Sequence, residues 1–222
     1  RAETGIDNGY RRCGGLDVAW TEAEEMALAR AAELWTGEEI AHERVAAGGL
    51  AAIEPGLNRA IRSAYFIPGR AQIRNPRHVR ALAEAARMRG VVLRPGVEAL
   101  GFDRAGGRIT AVRTADGAIP CEQVLIAAGA WSGGLLAELG LAHPTSPVKG
   151  QIVLLNAGDR PLRRIIEWGR NYLVPRDDGR VLAGATEEDA GFDTRPTPGA
   201  VRDLIDLALA LCPALAAAEV ER

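Results

Sequence analysis

Apolar side chains recur at helical spacing in three stretches, each with its own start and stop signals. Met26, Ala29, Leu34 and Trp35 follow the capping-box pair Thr21 and Glu24 and precede Gly37, which predicts a helix over 21–36. Val79, Leu82, Ala83 and Ala86 stand at i, i+3, i+4 and i+7 behind Asn75 as N-cap and Pro76 in the first turn, and Gly90 stops the pattern. Val201, Leu204, Ile205, Ala208 and Leu211 form a third stripe, opened by Thr197-Pro198 and closed by Pro213.

Extended segments fall between these helices. Val91 to Leu93 and Val97 to Phe102 flank Pro95-Gly96; Ile109 to Thr114 and Ile119 to Glu122 follow the turn pairs Gly106-Gly107 and Asp116-Gly117, so a β-meander is expected. Val124 to Ala128 is continuously apolar, the pattern of a strand buried on both faces, and it runs through Gly129 into a helix predicted over 132–139. After Pro144 and Pro147 the segments 151–155, 164–168, 171–175 and 181–185, with Asp178-Gly179 as a hairpin turn, read as a largely antiparallel sheet. Residues 45–72, punctuated by glycine and proline, read as loops with at most short strands. The fold class is α/β (α+β).

Composition narrows the function classes. The 222 residues carry 27 basic and 29 acidic side chains, a net charge of −2, which gives no electrostatic case for nucleic acid or anionic lipid. Lys149 is the only lysine among those basic residues. The longest uncharged apolar run, Leu207 to Ala218, is interrupted by Pro213 and falls short of the roughly 20 residues of a membrane span. Cys13, Cys121 and Cys212 form no CxxC pair, and His42, His78 and His143 have no ligand spacing, so neither a metal site nor a disulfide framework is expected; three reduced thiols fit a cytoplasmic protein. The chain begins with Arg1 and shows no signal-peptide pattern, and the missing initiator methionine suggests an interior piece of a longer protein.

Candidate chemistry is sparse. No two of the 26 glycines are separated by a single residue, so the GxGxxG dinucleotide fingerprint is absent, as is a P-loop. Glu187-Glu188-Asp189 reads as a solvated turn rather than a base pair or metal site. Arg163-Arg164, Arg176 and Arg180 could attract an anion, but read first as solubility charges on exposed strand ends. His78, in the first turn of its helix, is poorly placed as a cation, and Cys121 has no neighbour that would activate its thiol.

Five segments taken in order resemble the D-amino acid oxidase family of FAD-dependent flavoproteins. They are Asn75-Pro76-Arg77-His78-Val79, Ala127 to Ser132, Pro147-Val148-Lys149-Gly150-Gln151, Tyr172 to Arg176 with Asp178-Gly179-Arg180, and Gly184-Ala185-Thr186-Glu187. The resemblance covers nearly the whole chain, weakest before residue 50, and is greatest to the family's glycine-oxidising branch, linked to thiamine biosynthesis. It implies an FAD/NAD(P)-binding-type lobe with a meander plus an antiparallel-sheet substrate lobe. Residues 1–70 would hold part of the substrate lobe and a connecting helix, 71–143 part of the FAD-binding lobe, and 144–222 the rest of the substrate lobe. Family members carry a GxGxxG segment upstream and a carboxylate-clamping Arg downstream of this region, so both are expected to lie outside residues 1–222.

What the resemblance implies for individual residues is specific. Val97 would meet the adenine edge of FAD through its backbone, Ala128 and Gly129 would let the cofactor approach the end of their strand, and Trp131 would be a wall near the flavin or plain core. Tyr172 would be the active-site tyrosine whose phenol donates to the substrate carboxylate. The implied reaction is oxidative deamination of glycine or another small amino acid or amine, by hydride transfer to FAD with oxygen as acceptor, in a homo-oligomer. Sarcosine oxidation, a quinone-linked D-amino acid dehydrogenase, or a non-catalytic binding domain are the alternatives.

Overall fold

The computed structural model describes residues 3–142 and 145–221; His143 and the expected lobe boundary after it lie outside them. The chain divides into two compact units, one of Arg1–Leu82, Gly150–Glu187 and Thr194–Arg222, the other of Ala83–Lys149 and Glu188–Asp193.

The first unit begins with β1 (Arg11–Arg12), β2 (Gly15–Ala19), α1 (Glu22–Gly37), β3 (Glu43–Ala46), α2 (Ala47–Ile53), β4 (Ser63–Ile67), β5 (Ala71–Gln72) and α3 (Asn75–Met88), whose later residues belong to the second unit. The capping box that opens α1 forms as read: the Thr21 hydroxyl accepts from the Glu24 N–H (3.2 Å), and the Glu24 carboxylate accepts from the Thr21 N–H (2.9 Å). Residues 45–72 are more ordered than their punctuation suggested, since α2 and β4 both lie there. Gly48 and Gly49 weaken the helical signal of α2, and Leu50, buried in the core, anchors it through packing that local propensity does not report. Downstream, Gly56 faces the Pro161 carbonyl so closely that a Cβ would stand 1.9 Å from its oxygen, a contact only glycine permits.

The second unit contains β6 (Gly101–Ala105), β7 (Arg108–Thr114), β8 (Gly117–Pro120) and α4 (Ser132–Ala137), the last preceded by a 3₁₀ turn over Gly129–Trp131. The expected meander is present as the antiparallel sheet β6-β7-β8. Two expectations fail. Residues 91–93 and 124–128 form no ladder among the described residues, and Val92 and Leu125 are 77% and 91% exposed. A strand exists by pairing its N–H and C=O groups with a neighbour, and an apolar run by itself specifies neither that partner nor the surface that would bury it. The stripe of α3 is likewise open, with Val79 and Leu82 exposed and no residue of that helix buried.

The chain then completes the first unit with β9 (Ile152–Asn156), β10 (Ile165–Trp168), β11 (Asn171–Pro175), β12 (Arg180–Gly184), α5 (Pro198–Leu211) and β13 (Glu219–Val220). Its eight-stranded sheet has the order β13-β9-β12-β11-β10-β2-β4-β3. The ladders are antiparallel except β2 with β10, which pair in parallel. Leu204, Leu207, Ala208 and Leu211 of α5 pack with Val153, Leu155, Val181, Ala183, Leu173, Ile166 and Leu16, which makes one face of the sheet the core. Thr197 precedes α5 as expected, but its hydroxyl accepts from the Gln151 amide (3.2 Å) instead of capping the helix.

Candidate functional site

Side chains directly opposite each other in a sheet share a face. The register pairs Ile152 with Gly184, Gly184 with Tyr172, Tyr172 with Glu167, Glu167 with Asp17, and Asp17 with Tyr65. Their neighbours Val153, Ala183, Leu173, Ile166, Leu16 and Ala64 are in the core, so this row lies on the opposite face. Trp35 of α1 covers the row at Tyr65, with ring centroids 5.9 Å apart. At the other end Ile152 is 50% exposed and Tyr172 half-buried.

Tyr172 lies flat across β12 because Gly184 has no side chain. A Cβ at Gly184 would stand 2.8 Å from Cζ and Oη of Tyr172 and 2.9 Å from Cγ2 of Ile152. The Tyr172 hydroxyl makes no hydrogen bond among the described residues, so it is available to donate to a ligand. Gly184→Ala is expected to keep the fold, to displace the Tyr172 ring, and to cost about 1–3 kcal/mol through overpacking. Thermal unfolding and a crystal structure of the variant check it; an unmoved ring and unchanged melting would contradict the packing described.

Beside Tyr172 lies a charged cluster that the sequence did not announce. Arg70 binds Asp17 through both carboxylate oxygens, one at 2.8 Å, and reaches Glu167 at 3.0 Å. Its stem crosses β2 over Gly15, where a Cβ would meet Arg70 Cδ at 2.5 Å. Burial raises the carboxyls of both Asp17 and Glu167 above their usual range, and Arg70 pulls each back. The available signal was an aspartate inside the otherwise apolar segment Gly15–Ala19.

Val97, Ala128, Gly129 and Trp131 belong to the second unit and Tyr172 to the first. The Val97 N–H donates to the Arg94 carbonyl (3.3 Å), so one of the two backbone groups expected to meet adenine is already engaged. Ala128 accepts from the Trp131 N–H (3.1 Å) in the turn before α4. Gly129 has φ +55°, the left-handed region, and nothing lies within 4 Å of where its Cβ would be. Trp131 is not core: it is 67% exposed and stacks on Phe192 at 5.2 Å. An open backbone at Gly129 beside a flat aromatic surface fits one part of an extended, partly aromatic cofactor such as FAD. The 222 residues contain no glycine pattern for its pyrophosphate.

The other charged groups resolve individually. Glu187 pairs with Arg170, and Glu188 with Lys149 at 3.6 Å. Arg164 is no exposed solubility charge, since its guanidinium lies over the Phe66 ring at 5.4 Å, and Arg176 is half-buried as well. Cys212 is buried, which pushes its thiol up to about 11. Among the described residues there is no group of three His, Cys, Asp or Glu side chains able to hold a metal ion, and no helix long and apolar enough to cross a membrane.

Comparison with known proteins places the chain in a family. The model of the DAO family, FAD dependent oxidoreductase, matches residues 1–222. The chain is 36% identical over 223 residues to a glycine oxidase of Pseudomonas putida, covering 99% of this chain and 59% of that protein. It is 31% identical over 217 residues to a bifunctional protein ThiO/ThiG of Synechocystis sp., covering 96% of this chain and 31% of that one. The glycine oxidase structure from Geobacillus kaustophilus superposes with a TM-score of 0.95 at 33% identity, over 100% of this chain and 60% of that one. The chain therefore spans about three fifths of the length of the glycine oxidases it matches.

Proposed function

Because the chain belongs to the DAO family of FAD-dependent oxidoreductases, we propose that the protein containing it oxidatively deaminates glycine or another small amino acid or amine, with the substrate held on the open face of the eight-stranded sheet. The observation that carries this reading is the Tyr172 phenol, laid over Gly184 with its hydroxyl unengaged among the described residues. The chemistry FAD supplies when bound is acceptance of a hydride from the substrate α-carbon and delivery of the electrons to oxygen.

This chain's own part is to bind and orient. The Tyr172 hydroxyl donates to a substrate carboxylate oxygen, which fixes the α-carbon. Glu167, opposite Tyr172 in the register, offers an acceptor to the amine from a carboxylate that Arg70 holds in place. Ile152 and the half-buried Leu182 supply apolar surface on the same face and displace water. Orientation of this kind needs no nucleophile. From the second unit, Val97, Ala128, Gly129 and Trp131 would help to hold FAD when it is bound.

The test is anaerobic titration of the flavin-loaded, full-length enzyme with glycine, sarcosine and iminodiacetate. Bleaching of the oxidised flavin band by glycine, with glyoxylate and ammonia as products, is the expected result. Bleaching by sarcosine alone would move the substrate to a secondary amine, and no bleaching by any of the three would overturn the reading.

A further inference from the structure

Within the first unit, away from the Tyr172 row, a 310 Å³ cleft is lined by four arginines, Arg11, Arg74, Arg77 and Arg176. That volume is at the lower end of the range for small-molecule sites. Two of the three aspartates on its wall are paired with arginines. Asp177 pairs with Arg11 at 2.5 Å and Arg160 at 3.8 Å, and Asp178 pairs with Arg74 and, at 3.4 Å, with Arg180. Asp7 accepts from the Gly9 N–H at 2.9 Å in a local turn. Gly9, at φ +69°, lets the Arg74 stem pass where a Cβ would meet Cγ at 2.9 Å.

Two guanidiniums in the cleft remain without a carboxylate. Among the described residues Arg176 donates only to neutral acceptors, Gln72 Oε1 at 2.6 Å and the Ile73 carbonyl at 3.2 Å. Gln72 is itself buried and fixed by donating to the Pro175 carbonyl at 2.7 Å, so Arg176 is held in place. Burial lowers the Arg176 pKa and Arg74 and Arg11 act in the same direction, while Asp178 opposes them. Arg77 makes no hydrogen bond or ion pair among the described residues and lies in the first turn of the 14-residue α3, where the helix dipole adds positive potential.

We propose that this cleft is a phosphate-binding site, taking the phosphate group of a small molecule between Arg77 and Arg176 at the start of α3. Near neutral pH a phosphomonoester carries about two negative charges on one centre, which matches two uncompensated guanidiniums better than a single carboxylate does. Guanidinium forks suit its oxygens geometrically.

Calorimetric titration of the full-length protein with inorganic phosphate, glycerol phosphate and malonate, at low salt and near-neutral pH, tests the assignment. Saturable binding of both phosphate compounds is expected, with Arg77→Gln and Arg176→Met each weakening it about tenfold or more. Arg202→Gln, an exposed side chain that among the described residues pairs only with its neighbour Asp203, should leave it unchanged. Melting curves show whether Arg176→Met disturbs folding. Arg77 supports no other group, so its variant decides in that case. Absence of saturable phosphate binding, equal affinity for malonate, or wild-type affinity in Arg77→Gln overturns the proposal.

Discussion

Replacing Tyr172 by phenylalanine is expected to weaken glycine binding roughly 10- to 100-fold in the full-length enzyme while leaving the fold intact. The change removes one hydroxyl and keeps the ring that lies over Gly184, so packing survives and a hydrogen bond to a charged group is lost. Such a bond is worth about 1.5–3 kcal/mol, and a factor of ten corresponds to about 1.4 kcal/mol. An alkyl amine without a carboxylate should lose far less, because it has no oxygen for the phenol to meet. Anaerobic flavin reduction with both substrates separates the cases; equal losses, or none with glycine, would remove Tyr172 from the proposed site.

Glu54→Ala should be the more damaging change to stability. Glu54 is fully buried, and its Oε2 accepts the backbone N–H groups of Arg163 (2.9 Å) and Arg164 (2.8 Å) just before β10. Alanine removes the shared acceptor of two partly buried donors, at about 1–3 kcal/mol for the pair. Glu54→Gln keeps an oxygen for them and removes the buried charge. Burial, against the two N–H donors, raises the folded-state carboxyl above its ordinary 4.5. The folded protein therefore retains a proton that the unfolded chain has released, and stability from this group falls as pH rises from about 4.5 through the raised value. In equilibrium unfolding across that window, Glu54→Gln should show a flatter profile than wild type and gain on it at the alkaline end; parallel profiles would mean that the carboxyl is not perturbed.

What the sequence revealed depended on how local the determining contact was. The capping box of α1 spans four residues and the turn at Asp178-Gly179 joins adjacent strands, so both were legible. The parallel pairing of β2 with β10 joins Leu16 to Ile166, and nothing near either residue encodes the other. Asp17 joins the row on the open face only through that pairing, whereas Glu167 faces Tyr172 across the local hairpin of β10 and β11. The run 124–128 was expected to be a strand buried on both faces, and neither the pairing nor the burial is present, because apolar character fixes neither a partner nor a cover. Arg176 looked like a surface charge because the strand end was visible in the sequence and the buried Gln72 that seats it, far away along the chain, was not.

The discontinuity of the first unit also sets an order of events during synthesis. The parallel partner of β2, strand β10, is made only after the whole β6-β7-β8 meander. The meander contains only sequence-local pairings and can form while translation continues, whereas the eight-stranded sheet must wait for long-range closure. Until then β2, whose other edge pairs with β4, presents one edge without its partner. Nascent chains paused before β10 therefore still expose that edge.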